Sequence, residues 1–189
     1  AETVTGSDVL VYNPSGRPAS GFIGDLGQDS AGAWWVEDVP PLGYKVIEWR
    51  NQDSSPSDDV IASGGVIENR YYRIVQDGPT GAIKSIFDKE VGVELVDQNS
   101  GYRMNQFVYI LGPGGRFVDV AGETRVDSRG ESQRPGCAML SASGSARNLP
   151  KWTTEVILYN NAKRIDFINR LQKQETYEKE AGYFAFRST

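Results

Sequence analysis

Residues 153–186 read TTEVILYNNAKRIDFINRLQKQETYEKEAGYFAF. Residues 155–159 are a dense β-branched and aromatic run, the composition of a strand. Asn160-Asn161-Ala162-Lys163 then predicts a turn, because Asn tolerates positive φ and its side chain bonds the local backbone. Beyond it, Ile165, Phe167 and Leu171 fall on one face and Asp166 and Arg170 on the other. That two-residue period marks a half-buried strand. The pair predicts a β-hairpin with a four-residue connection. A lone hairpin is marginal in water, so its partner strands must come from the rest of the chain. Residues 172–180 (QKQETYEKE) are the one stretch of good helix formers. Following a hairpin, and with Thr176-Tyr177 inside it, the stretch reads as a loop or strand entry.

The bulk composition agrees with an all-β chain. Its 189 residues suffice for one domain with a small appendage, and 39% hydrophobic with 11% aromatic residues supports a core. Twenty-one Gly and nine Pro favour many turns and short strands. The formal charge is −5, and no basic patch stands out, which argues against nucleic acid and anionic membrane as partners. No apolar run reaches membrane-spanning length, and the first residues carry no signal-peptide pattern. Cys137 is the only cysteine, so no internal disulfide can form and an oxidising compartment is not required; this favours the cytoplasm. Beside Met139 and Leu140, Cys137 reads as a small apolar residue. Histidine is absent. That removes Ser-His-Asp and Cys-His catalysis and the usual zinc sites with His ligands.

In chain order, residues 1–50 predict a small β unit. It has a strand over residues 8–12, a turn at residues 13–18, an apolar run at residues 33–36 broken by Glu37-Asp38, and a strand from Tyr44 to Trp49. Residues 51–64 are acidic and Ser-rich and predict a linker. Residues 65–189 predict the main sandwich. A strand over residues 66–75 leads to the turn Asp77-Gly78-Pro79-Thr80-Gly81, a return strand over residues 82–87, and a short strand at residues 94–96. Two further strands flank Gly112-Pro113-Gly114-Gly115, a hairpin device lacking the Gly-Lys-Ser/Thr ending of a phosphate loop. Residues 121–150 are weakly patterned, with some strand near residues 137–141.

The opening stretch also resembles a known family. LYNNAKRIDFINRLQKQETYEKEAGYFAF is similar to YNNxKRIDFxNRxxKxETxxKEAxYFAFPF in the large β-sandwich domain of family 38 glycoside hydrolases, the α-mannosidases. IENRYYRI, DGPTGAIKSIFDKE and ELVD resemble the opening of that domain, which has the supersandwich fold also seen in galactose mutarotase. VYNPSGRPASG and VEDVPPLGYKVIEW resemble the family's small central β domain. The resemblance implies an antiparallel β-supersandwich preceded by a small β unit, with the family's further strands following Phe186. It implies the non-catalytic region of an α-mannosidase, partnered by a catalytic domain of the same polypeptide and a mannose-containing glycan. The family's divalent metal, zinc, and its Asp nucleophile belong to an N-terminal domain that no segment here matches. So no cofactor, metal ligand or catalytic residue is assigned to this chain.

Three residues are candidates for substrate contact. Trp34 and Trp35 could stack on a sugar ring, but neighbours on a strand point to opposite faces, so one of them is expected in the core. The resemblance suggests Tyr109. Related mannosidases carry Ser-Gly-Ala-Tyr-x-Phe-x-Pro, whose Tyr enters the active site, and NQFVYILGPGG occupies the corresponding place with Gln106-Phe107-Val108 instead of Ser-Gly-Ala. The other reading of Tyr109 is a strand tyrosine with a buried ring and a bonded hydroxyl. Asp166 is the acid most tempting for catalysis, and pairing with Arg164 or Arg170 is its structural alternative. Two further readings of the whole chain stand beside the mannosidase one: a self-sufficient carbohydrate-binding module, and an incomplete sheet that self-associates through an open strand edge. A mutarotase-type enzyme is the weakest, because the resemblance would require a His and Glu pair.

Overall fold

The computed structural model describes residues 8–23, 34–48, 60–112, 118–119, 124–134, 136–160 and 162–189. It is all-β, with antiparallel strands throughout and no helix among the described residues. The chain divides into two compact units, Ala1–Ser55 and Pro56–Thr189.

The first unit holds two hairpin-like pairs. Strand β1 (Asp8–Tyr12) pairs with β4 (Tyr44–Glu48), and β2 (Ala19–Ile23) with β3 (Trp34–Val39). Val36, Val39 and Ile47 form its small core, with Val11 and Ile23 packed against them. The turn after β1 is organised by buried Asn13. Its Nδ2 donates to the carbonyls of Arg17, Val39 and Pro40, and its Oδ1 accepts from the Ser15 amide and hydroxyl. Glu37-Asp38 does not break β3, contrary to the sequence expectation. Instead Asp38 takes φ 50° where the β2–β3 register shifts, and its amide donates to Ser20 Oγ. A bulge absorbs the polar pair that periodicity reads as an end.

The second unit is a sandwich. One five-stranded sheet runs β5 (Ile61–Ser63), β6 (Val66–Glu68), β7 (Tyr72–Gln76), β8 (Ile83–Asp88) and β9 (Val93–Glu94) in sequence order. A three-stranded sheet places β10 (Gln106–Leu111) between β11 (Val118–Asp119) and β16 (Glu180–Ala185). Bridges Ile83↔Met104 and Val96↔Ser188 join these two sheets edge to edge. The facing layer is the four-stranded meander β12 (Arg125–Arg134), β13 (Cys137–Ala146), β14 (Leu149–Tyr159) and β15 (Ile165–Gln172).

Alternation along β13 and β14 sets the core. Ala138, Leu140, Val156 and Leu158 meet Val60, Ile67, Ile74, Ile83, Ile86, Val96 and Met104 of the five-stranded side. Further along the same face, Ala142, Leu149 and Trp152 meet Phe107 and Tyr109 of β10. Burying each such aliphatic side chain contributes about 1.5–3 kcal/mol. Gly144 is required by this packing. A Cβ there would lie 1.9 Å from the Arg125 carbonyl oxygen and 2.6 Å from the Trp152 ring.

The hairpin over residues 155–171 forms as expected. Three other expectations are corrected. The linker expected at residues 51–64 ends early, since Val60 is buried and residues 61–63 form β5; residues 51–59 lie outside the described ones. The single strand expected over residues 66–75 is a hairpin. Buried Asn69 turns the chain by accepting from the Tyr71 and Tyr72 amides, a local bond that competes with the ladder. The weakly patterned residues 121–150 carry β12 and β13, ten residues each. Their Ser, Gly and Arg content hides them from a hydrophobic-period reading.

Candidate functional site

One connected polar cluster containing a sequence candidate surrounds Tyr109. β10 carries Tyr109 opposite Gly182 of β16, and Leu111 opposite Glu180. Register therefore brings the first residue of β16 beside the β10 tyrosine. The β13–β14 connection is closed by the pair Ala146↔Leu149, leaving Arg147 and Asn148 as a two-residue turn against the same sheet end. Lys173, just past β15, completes the group.

Tyr109 is 1% exposed, and its hydroxyl donates to Glu180 Oε2. Asn148 Nδ2 donates to Glu180 Oε2 and to Glu178 Oε2, both at 2.7 Å. Lys173 Nζ pairs with Glu180 Oε1, whose side chain is only 2% exposed. Arg147 Nη2 donates to Glu178 Oε1 at 2.9 Å. Burial alone would raise the Glu180 carboxyl. The bonds from Lys173, Tyr109 and Asn148 outweigh it and hold the group below the usual carboxylate range. Burial, then the bond to ionised Glu180, pushes the Tyr109 phenol up to about 12.

The two carboxylates share one amide nitrogen, which invites comparison with a glycosidase pair. That chemistry needs one acid able to give up a proton near neutral pH. Glu180 is held ionised and Tyr109 is held protonated, so neither member of that pair is poised to exchange a proton near neutral pH. Among the described residues no group of three His, Cys, Asp or Glu side chains could hold a metal ion.

The sequence candidates fall as follows. Tyr109 has the buried ring and bonded hydroxyl of the structural alternative, in a chain described without any partner. Trp34 and Trp35 are neighbours in β3, opposite Ile23 and Phe22 in the ladder; their side chains lie outside the described residues. Asp166 takes its structural alternative. Arg164 grips it with Nε and Nη2, both at 2.7 Å, and Tyr159 donates to it at 2.6 Å. Arg170 pairs with buried Glu155 instead. Cys137 is fully buried, and burial pushes its thiol up to about 11, so it is a packing residue.

Arg147, Asn148, Glu178 and Glu180 were not singled out by the sequence. Asn148 and Glu180 are 32 residues apart, and Tyr109 and Glu180 are 71 apart. The available signal was that Glu180 sits inside the KEAGYFAF segment and Glu178 immediately before it. No family model and no curated protein matches this chain.

Proposed function

We propose that this chain is the non-catalytic β-sandwich region of an α-mannosidase-like glycoside hydrolase of family 38. It braces a catalytic domain of the same polypeptide and forms one wall of the mannoside cleft. The observation that carries the reading is the family-like stretch of residues 153–186. It folds into the β14–β15 hairpin and β16, and it supplies Lys173, Glu178 and Glu180 to the polar cluster. The all-β sandwich preceded by a small β unit supports the same reading. The described residues do not fit the family's zinc. The retaining double displacement at that metal is therefore work for the catalytic domain, and no step is routed through this chain.

The test uses the native polypeptide. Antibody raised to this chain precipitates it from its source, its size is read by immunoblot, and release of p-nitrophenol from p-nitrophenyl α-mannoside is followed with and without chelator. A band several times larger than 20.8 kDa with chelator-sensitive activity is expected. A band at 20.8 kDa without activity overturns the reading. A surface concavity lined by Leu111, Gly112, Arg147, Glu178 and Lys179 favours a second reading, a stand-alone carbohydrate-binding module, and that result would leave it standing.

A further inference from the structure

Beside the cluster lies a concavity of about 350 Å³, lined by Leu111, Gly112, Arg147, Glu178 and Lys179. Its volume is at the lower end of small-molecule sites, which run from about 300 Å³ upward. The polar lining holds the ion pair of Arg147 with Glu178, whose side chains are 47% and 44% exposed, with Lys179 beside it. We infer that this concavity binds a single neutral hexopyranose, with Glu178 and Arg147 gripping two adjacent ring hydroxyls.

Chemistry selects this ligand. A hydroxyl both donates and accepts, so vicinal hydroxyls satisfy a carboxylate and a guanidinium together. Leu111 supplies apolar contact, and the Lys179 backbone is fixed because its carbonyl accepts from the Gly112 amide at 2.7 Å.

The grip is also preset. Glu178 Oε2 is held by Asn148, which is held by Glu180, which in turn is held by Lys173 and Tyr109. A ligand meeting Glu178 therefore loses little to ordering that side chain. The choice of mannose among hexoses rests on the proposed function; the site itself does not.

The test is an NMR titration of the ¹⁵N-labelled full chain with methyl α-D-mannopyranoside, following the Gly112 amide, the Asn148 side-chain amide and Arg147 Nε. Saturable shifts are expected, with a Kd of order 1 mM as befits one small open site. Arg147→Ala and Glu178→Gln should each weaken binding about tenfold by removing a charge-assisted bond. Glu178→Gln keeps shape and size, so the test survives if Arg147→Ala fails to fold. Shifts that never saturate, that persist in both variants, or that inorganic phosphate reproduces at lower concentration overturn the inference. Binding of methyl α-D-glucopyranoside in preference to the mannoside upholds the site and counts against the mannosidase reading. Mannosidase activity in the native polypeptide with no binding here overturns the inference alone.

Discussion

Tyr109 and Glu180 hold each other in opposite protonation states, and the pair shows how a buried carboxylate is tolerated in a sheet interior. A lone buried charge is costly, and Glu180 is accommodated because each of its oxygens has a partner: the Lys173 ammonium is ion-paired with one, and Tyr109 and Asn148 donate to the other. Removing one donor leaves the charge in place with less compensation. Tyr109→Phe keeps the ring that packs with Phe107, Trp152 and Leu149 and deletes only the hydroxyl. It should lower unfolding free energy by about 1–3 kcal/mol, the usual cost of stranding a buried partner. Urea denaturation at neutral pH measures it, and a loss below about 0.5 kcal/mol, the scale of an ordinary surface substitution, would mean that the hydroxyl is not structural. The same substitution should bring the Glu180 carboxyl back toward its ordinary range, since one of the bonds holding it down is gone.

The elements show where such residue-level rules are legible in a sequence and where they are not. β14 and β15 could be read because their apolar residues keep a strand period and Asn160 announces the turn. β12 could not. RVDSRGESQR is exposed along most of its length, and Val126 is its only aliphatic residue. It is a strand because β13 offers it a ladder and because its Glu131 reaches across to the β5–β6 turn. There Oε1 accepts from the Gly64 amide at 2.9 Å and Oε2 from the Gly65 amide at 2.5 Å. Both glycines have positive φ, so that turn is sharp and its amides point outward to a single acceptor. Glu131→Ala should cost about 0.5–1.5 kcal/mol. It should also raise the hydrogen-exchange rates of the Gly64 and Gly65 amides well above those of the β13–β14 ladder. Unchanged exchange at both amides would show that the latch holds nothing. The candidate site was illegible for a related reason. Its partners come from β10, a two-residue turn, the end of β15 and the start of β16, and only strand register brings them together.

Charge chemistry across the whole molecule sets a stability profile with two distant limbs and a flat middle. On the acid side, Glu180, Asp166 and Asp88 all sit below the ordinary carboxylate range. Burial opposes the shift at Glu180 and Asp166 and is outweighed, by Lys173 at one and by Arg164 and Tyr159 at the other. At Asp88 the bond from Lys163 leads. Depressed folded-state values contribute stability above the unfolded values, about pH 4, and lose it as pH falls through the folded ones. On the alkaline side the shifts run upward. Burial raises Tyr109, to about 12, and Tyr159, each reinforced by a carboxylate acceptor. Bonds to Glu90 and Asp88 raise Lys163. These groups contribute fully below the unfolded values, about pH 10, and their contribution is lost as pH rises through the folded ones. Between the limbs histidine would normally titrate, and this chain has none. Burial raises the Cys137 thiol as well, so its contribution is lost as pH rises above the unfolded thiol value, about pH 8.5. The urea midpoint should therefore be level from about pH 6 to 8, fall below about pH 4 and fall again above about pH 8.5. Glu180→Gln should shallow the acid limb, because amide and protonated acid differ little there, while the alkaline limb keeps Tyr159, Lys163 and the part of the Tyr109 shift that burial causes. A midpoint that moves steadily across pH 6–8 would contradict the profile, since no described group with a resolved shift titrates in that interval.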